Sequence, residues 1–346
     1  MGATSPTTGS PAPGRTPSDA VRVAGVVAGL TILLGVMLTA FALPAANLNP
    51  HHVGLGVVGP PSAVTAARQQ LESRGDAFDI KTYADADAAR TAILERKIYG
   101  AVILDPDGVH TLVASAASVS IAATAQGVGA GIASASDVPA TVTDIRPFPS
   151  DDSRGAGLSA GALPLALGGW IGATVIMLVF HTPGRRMLTA SIFAVVGGLG
   201  LTAVLQFGIG TLDGNYWLTS LGAMLGIGAT ASAVLGLRTL FGGAGLGIAA
   251  ILLILLGNPL SGLSNAPELL PEPWGAIGQL LPPGATGALI RDLAFFDGHG
   301  GLHAVLTLTA WLVGGAVFLA LGVARHRNQP DPETPEHEIE EAFSTA

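Results

Sequence analysis

The chain has 346 residues, of which 49% are hydrophobic and only 12% are charged, and its mean hydropathy is +0.55. Soluble domains carry about 25% charged residues, so this composition indicates a membrane protein. The net charge of −8 without a basic stripe argues against nucleic acid as a partner. The absence of cysteine excludes disulfides and thiolate chemistry.

A polar segment, residues 47–159, interrupts the apolar sequence. It carries half of the basic residues of the chain, namely Arg68, Arg74, Lys81, Arg90, Arg96, Lys97, Arg146 and Arg154. One apolar run (23–43) precedes it, and five follow, at residues 161–180, 187–208, 216–237, 240–256 and 302–323. A helix needs about 20 apolar residues to cross a bilayer. We therefore predict an α-helical polytopic membrane protein with six transmembrane helices and a small α/β extracytoplasmic domain between helices 1 and 2.

The first apolar run has two interpretations. Residues 1–21 are rich in Pro, Ser, Thr and Gly and are predicted to form a disordered cytoplasmic tail, followed by a transmembrane helix over 22–44. The alternative is a cleaved signal peptide, because Ala40-Phe41-Ala42 resembles a cleavage site. The apolar regions of signal peptides run about 7–15 residues, so the greater length here favours a retained helix.

Within the predicted extracytoplasmic domain, residues 45–159, hydrophobic periods of two and of about 3.6 alternate. They predict strands at 53–58, 78–83, 99–104, 109–114 and 141–148, and helices at 62–74, 85–97 and 118–133. Ser62 is the predicted N-cap of the first of these helices, and Gly75 its stop. The predicted order is β-α-β-α-β-β-α-β.

Gly54, Gly56 and Gly59 match the G-x-G-x-x-G pattern of dinucleotide sites. Such a site needs the glycines after a strand and at the start of a helix. Here Val57 and Val58 continue the strand, and two prolines follow it. We interpret these glycines as part of the strand and predict no cofactor.

The links between the later apolar runs differ in charge. Arg185, Arg186, Arg238 and the arginines after the last run fall on one side of the predicted bilayer, and Asp213 and the acidic residues of the long link 258–301 on the other. Cytoplasmic loops carry the excess of Lys and Arg. We therefore predict a multi-pass protein of the cell membrane with both termini in the cytoplasm, including an acidic C-terminal tail, 325–346.

The predicted five-helix domain, residues 160–324, contains no Asp, Glu, Lys or His in the middle of a span. Gln206 is its most polar side chain there, and it is a candidate to line a path or to bond another helix. Gly168/Gly172 and Gly222/Gly226 form G-x-x-x-G pairs, which let membrane helices approach closely. The alternative is that a glycine-rich composition produces such pairs by chance.

The long link 258–301, predicted to be external, contains a second candidate region. Pro282 and Pro283 precede an amphipathic segment, 284–296. We predict that this segment folds back against the bundle at the external membrane surface, with Arg291 and Asp292 at the level of the headgroups. The alternative is a mobile loop.

The sequence offers no credible catalytic or metal-binding constellation, so we predict that the protein is not an enzyme. His337-Glu338 lacks the second histidine of a zinc protease, and His299 with His303 lacks a third ligand. No lysine follows a glycine-rich stretch as in a P-loop, so any ATPase must be a separate subunit.

The layout of one helix, an α/β insert and five helices resembles the ABC-2 type permease superfamily, and more closely its branch related to the phage infection protein (YhgE/Pip) family. The similar stretches are Ile98-Tyr99-Gly100-Ala101-Val102-Ile103-Leu104, residues 147–163 (PFPSDDSRGAGLSAGAL), Leu281-Pro282-Pro283-Gly284 and Phe295-Phe296-Asp297-Gly298. The resemblance covers about residues 22–327 in topology. It implies a permease active in export or envelope-related transport, often as a homodimer and in some relatives with a separate ATPase subunit.

Two classes of function therefore follow from the sequence. The first is an integral membrane permease of the ABC-2 type. The alternative is a non-transporting envelope protein whose extracytoplasmic domain recognises a ligand, a phage or a partner protein. Neither the substrate nor the direction of transport follows from the sequence.

Overall fold

The computed structural model describes residues 19–73, 75–263 and 266–327. The tails predicted for 1–21 and 325–346 lie mostly outside the described residues. The chain divides into two units, residues 1–43 and 44–346. Helix α1 (Asp19–Ala46) begins in the first unit. Its apolar part, Asp19–Ala42, is long enough to cross a membrane.

The second unit begins with an α/β domain, residues 53–144. Its elements are β1 (Val53–Val58), α2 (Pro61–Glu72), β2 (Phe78–Thr82), α3 (Ala86–Leu94), β3 (Gly100–Asp105), β4 (Gly108–Val113), α4 (Val119–Ser136) and β5 (Ala140–Asp144). The predicted order of strands and helices is confirmed. The predicted N-cap of α2 is wrong: the helix begins one residue earlier, with Pro60 as the N-cap and Pro61 in the first turn. Proline suits that position because its fixed φ is already helical and the first amide has no helical partner.

The five strands form one sheet in the order β2-β1-β3-β4-β5. β2 and β3 both run parallel to β1, β4 is antiparallel to β3, and β5 is parallel to β4. The tight turn at residues 106–107 explains the one antiparallel pair, since parallel neighbours need a helical crossover.

Alternation along the strands gives the sheet two apolar faces. Leu55, Val57 and Val102 point to the face covered by α2 and α4. Ala101 and Ile103 point to the face covered by α3. Gly54 and Gly56 lie within β1, as interpreted from the sequence, and a Cβ added to Gly56 would lie 2.8 Å from Ile98 Cδ1. These two glycines therefore leave room for the segment after α3.

The rest of the chain forms a bundle of helices. These are α5 (Ala156–Val179), α6 (Pro183–Ala203), α7 (Tyr216–Phe241), α8 (Gly243–Ala250), α9 (Trp274–Gln279), α10 (Pro282–Phe295) and α11 (Leu302–Arg327). A wide π-helical turn extends α6 over Val204–Ile209, and another extends α8 over Ile251–Leu256.

Four helical stretches in the described part of the chain are long and apolar enough to cross a membrane: Asp19–Ala42, Pro183–Ile209, Tyr216–Phe241 and Leu302–Arg325. Two shorter apolar stretches are Leu167–Val179 and Gly243–Leu256. The protein is thus a mostly helical, membrane-associated chain with one small mixed sheet.

Helix α7 is the centre of the bundle and packs against α5, α6, α8, α10 and α11. Small residues on α7 allow these close contacts. A Cβ added to Gly226 would lie 2.5 Å from Thr286 of α10, and one added to Gly236 would collide with the backbone of Gly315 in α11. Without a hydrophobic driving force between helices in lipid, such close packing is a main source of helix association.

Candidate functional site at the junction of the α/β domain and the helices

The α/β domain contacts the bundle through the turn that follows α3. Arg96 adopts a left-handed backbone conformation (φ 62°), and its amide bonds to the carbonyl of Ile93 at 3.0 Å. The amide of Lys97 bonds to the carbonyl of Ala92 at 2.9 Å. This turn ends α3 and directs the Arg96 side chain towards α10.

Arg96 forms a buried ion pair with Asp292 of α10. Its Nε lies 3.0 Å from Asp292 Oδ1, and the two side chains are only 15% and 6% exposed. The guanidinium carbon also lies 4.8 Å from the ring centre of Phe296 and 5.1 Å from that of Tyr99. Arg96 therefore combines an ion pair with contacts to two aromatic rings, and desolvation strengthens both kinds of interaction.

Burial raises the pKa of Asp292 to about 6, although Arg96 and Arg291 favour its charged form. Desolvation thus outweighs the attraction of two neighbouring cations. Burial also raises the pKa of Tyr99, whose hydroxyl donates to Glu268 Oε2 at 2.7 Å. Tyr99 stays neutral at physiological pH and acts as a hydrogen-bond donor.

Backbone bonds hold the chain before β1 against the loop that carries Glu268. The amide of His51 donates to the carbonyl of Glu268 at 2.8 Å, and that of Asn49 to the carbonyl of Leu269 at 3.1 Å. Beside these bonds, Val53 and Leu269 belong to one buried apolar cluster. The loop 266–270 is thereby attached to the edge of the α/β domain.

His52 makes a second, exposed connection. Its Nδ1 lies 3.1 Å from Asp79 of β2, and its Nε2 lies 3.3 Å from Glu272 of the loop. The hydrogen bond to Asp79 raises the pKa of His52, with a further contribution from Glu272. The protonated ring can donate to both carboxylates at once, so this connection depends on pH.

At the far end of the sheet the contact is aromatic. The rings of Phe148 and Phe295 meet edge to face, with centroids 5.3 Å apart and an angle of 79°. Nearby, Asp152 accepts from the amides of Ala156 and Gly157 at 2.8 Å, and from the hydroxyl of Thr211. Asp152 therefore satisfies the first amides of α5 and joins that helix to the segment before α7.

A cleft opens beside the junction. It has a volume of about 450 Å³, and its polar lining is formed by His51, Glu268, Glu272 and Gln279. A second pocket of about 280 Å³ lies on the α/β domain between α2 and α4, beside Leu104 and Asp105. In the described ranges no three His, Asp or Glu side chains stand close enough to hold a metal ion.

The candidate residues predicted from the sequence lie at several different places in the bundle. Gly222 and Gly226 contact Leu293 and Thr286 of α10. Gly172 lies against Phe193 of α6, whereas a Cβ added to Gly168 would meet nothing within 4 Å. Gln206 lies in the π-helical turn after α6, and its amide nitrogen donates to the carbonyl of Gly214 at 3.1 Å.

The segment 284–296 packs against other helices, as predicted, and the level of Arg291 and Asp292 relative to the membrane surface stays a prediction. The segment around α10 folds against the bundle, with Leu289 and Leu293 buried. Arg291 and Asp292, however, do not extend outward. Asp292 is buried against Arg96, and Arg291 Nη2 donates to the carbonyl of Leu263 at 3.1 Å. The reason is that α10 is covered by the α/β domain, which sequence patterning could not reveal.

Arg96, Tyr99 and Glu268 were not recognised in the sequence. In the sequence, Arg96 and Lys97 form the polar end of a predicted helix, and Tyr99 is the first residue of a predicted strand. The sequence around Arg96 carries no signal of burial, because charged residues at the end of an amphipathic helix are mostly exposed. Nothing in the local pattern pointed to residue 292 as the partner.

Comparison of the chain with family models, with curated proteins and with solved structures gave no match.

Proposed function

We propose that the protein is a permease of the ABC-2 type that takes part in export or in envelope-related transport. In this proposal six segments cross the bilayer: α1, α5, α6, α7, α8 with its π-helical turn, and α11. Both termini lie in the cytoplasm and the α/β domain lies outside. The two shorter apolar stretches, Leu167–Val179 and Gly243–Leu256, fall at the two remaining predicted spans and support this count.

The observation that carries the proposal is the buried bond between the α/β domain and α10. Arg96 and Asp292 join the two across a contact from which water is largely excluded. Breaking one partner of such a pair is costly, because the other charge is left buried. A displacement of the α/β domain must therefore move α10 with it.

Helix α10 packs directly on the central helix α7. Leu289 and Leu293 pack in one apolar cluster with Ala229 of α7 and with Leu308 of α11. No side chain separates α10 from α7 at Gly222 and Gly226. This continuous packing supports a role in which the state of the external domain alters the arrangement of the helices, as a gated permease requires.

The proposal is tested by comparing compounds released by cells that carry the chain with those released by deletion cells. Mass spectrometry of the medium should show at least one compound that disappears on deletion and returns when the wild-type chain is supplied. Arg96→Gln should restore it poorly at equal membrane abundance, and the matched control Lys97→Gln, at an exposed neighbouring ion pair, should restore it fully. An unchanged medium after deletion would contradict the transport function.

Affinity purification of the full chain in mild detergent tests whether it has a partner subunit. A separate ATPase subunit should co-purify if the permease belongs to a two-component exporter. Exported compounds without an ATPase would instead indicate a permease that uses another energy source, while leaving transport itself intact.

A second candidate function, a non-transporting envelope protein that binds a ligand, a phage or a partner, is favoured by the cleft of about 450 Å³ beside the loop 267–279. Its size is within the range of small-molecule sites. This function predicts normal export on deletion together with lost phage adsorption or lost retention of a partner protein.

A further inference from the structure

Two hydroxyl groups between α6 and α7 lack any hydrogen-bond partner among the described residues. Thr202 of α6 and Ser220 of α7 are both 0% exposed, and neither Oγ atom has an acceptor or donor in reach. Both lie in helices that are apolar enough to cross a membrane. Buried polar groups normally find a partner, so each of these atoms requires an explanation.

Six other hydroxyls of the bundle behave differently. They donate to the carbonyl four residues earlier in their own helix, as seen for Thr174, Ser191, Thr219, Thr230, Thr239 and Thr286. This local bond is the usual solution for Ser and Thr in a membrane helix. Thr202 and Ser220 depart from it.

The packing register one and two turns away indicates that the two hydroxyls lie on facing surfaces of α6 and α7. Ala194 of α6 meets Gly228 of α7, and one helical turn further Gly198 meets Met224. Four more residues along α6, and four fewer along α7, bring Thr202 to face Ser220. Residues four apart share a helix face, so both side chains point into the contact between the helices.

A third buried atom without a partner belongs to Gln206, four residues after Thr202 in the sequence. The side-chain oxygen of Gln206 is buried and unbonded, while its nitrogen is occupied by the carbonyl of Gly214. Gln206 lies in the π-helical turn Val204–Ile209, which widens the helix directly after α6. Such turns break the regular hydrogen-bond pattern of a helix and are frequent at functional sites.

The hydrogen-bonding capacity of the three atoms indicates which kind of molecule they can bind. Two hydroxyls can each donate or accept, and the Gln206 oxygen can only accept. None of the three side chains carries a charge, so the set suits a small neutral molecule that both donates and accepts hydrogen bonds. A buried water typically makes about three such bonds.

We propose that Thr202, Ser220 and Gln206 form a binding site for water between α6 and α7, so that this helix contact is hydrated within the bundle. The site is independent of the proposed transport function. It would give the bundle one hydrated point between two helices that are otherwise packed through small and apolar side chains.

The first test measures the unfolding temperature of the purified full chain in detergent for Thr202→Val, Ser220→Ala and the double variant. If the hydroxyls share a bound water, each single variant unfolds at a temperature a few degrees lower than the wild type. The double variant then loses less than the sum of the two single losses. The control is Thr174→Val, whose hydroxyl bonds to its own helix, and which should add to Ser220→Ala without coupling. If the contact is dry, removing an unpaired hydroxyl leaves the midpoint unchanged or raises it, which overturns the proposal.

A second test does not depend on whether Thr202→Val folds. The chain has no cysteine, so Ser220→Cys and the equally buried control Ala223→Cys can each be treated with a small neutral thiol reagent. A thiol beside bound water ionises more readily than one in apolar surroundings, and we expect it to react about tenfold faster or more. Equal rates at the two positions would show that no water is held there.

Discussion

Arg96 illustrates how this protein tolerates a charge in a buried position. Its guanidinium group meets a carboxylate and two aromatic rings, so the side chain has partners on several sides. Removing Arg96 would leave the carboxylate of Asp292 without its counter-charge in a site that water barely reaches. The cost of such an unpaired charge is far larger than the net gain of the pair itself.

Arg96→Gln, which removes the cation and leaves the Asp292 carboxyl buried without its counter-charge, should lower the free energy of unfolding by about 3–5 kcal/mol. The control is Asp297→Asn, which breaks the pair with Arg146, where the carboxylate side chain is 78% exposed. That change should cost about 1 kcal/mol or less, because water screens the pair. Thermal unfolding in detergent measures both, and equal losses would contradict the buried role of Asp292.

The His52 contact predicts a pH dependence. Its pKa in the folded protein is raised above the ordinary value of 6.5 by Asp79, with Glu272 and Asp76 also contributing. The stabilisation is therefore complete below pH 6.5 and is lost as the pH rises through the raised pKa. His52→Asn should thus lower the unfolding temperature at about pH 5.5, and should make little difference at about pH 8.5. Asparagine suits the left-handed backbone at this position (φ 52°). An identical loss at both pH values would show that the charge of His52 is not involved.

At the scale of elements, α10 is the part of the chain on which the α/β domain and the bundle meet. One of its faces packs on α7 and α11, while Asp292 contacts the α/β domain and Phe295 contacts Phe148, just after that domain. Its first residues, Pro282 and Pro283, are buried and lack backbone donors, which suits the start of a helix enclosed by other elements.

Cysteine labelling should show α10 in its packed position. Leu289→Cys and Leu293→Cys, at positions only 2% and 9% exposed, should resist a water-soluble thiol reagent in the intact protein. Val142→Cys in β5, where the side chain is 48% exposed, should react rapidly. Rapid reaction at all three positions would show that α10 leaves the bundle readily.

The elements of the α/β domain could be predicted from the sequence because their signals are local. Alternating apolar residues at Leu55, Val57 and Val102, and the turn at residues 106–107, depend only on neighbours along the chain. The pairing of Arg96 with Asp292 spans 196 residues and leaves no local trace. The same holds for Tyr99 with Glu268, so the junction became visible only in three dimensions.

At the scale of the whole molecule, the arrangement of helices in the bilayer has a direct test. We expect reporter fusions after Arg186 and after Arg327 to read as cytoplasmic, and a fusion near Gly75 to read as external, because the arginine-rich links should stay inside. An external signal after Arg327 would exclude six spans with both termini in the cytoplasm.

The long separation between Arg96 and its partner also has a consequence during synthesis. Ribosomes add about 5–20 residues per second, so the 196 residues between them take roughly 10–40 s to make. For that interval Arg96 stays hydrated, but the apolar surface that α10 later covers, including the ring of Phe148, is open to water. The domain is therefore most prone to aggregation before α10 has been translated, and a ribosome that stalls before α10 should yield a product that chaperones retain and proteases degrade.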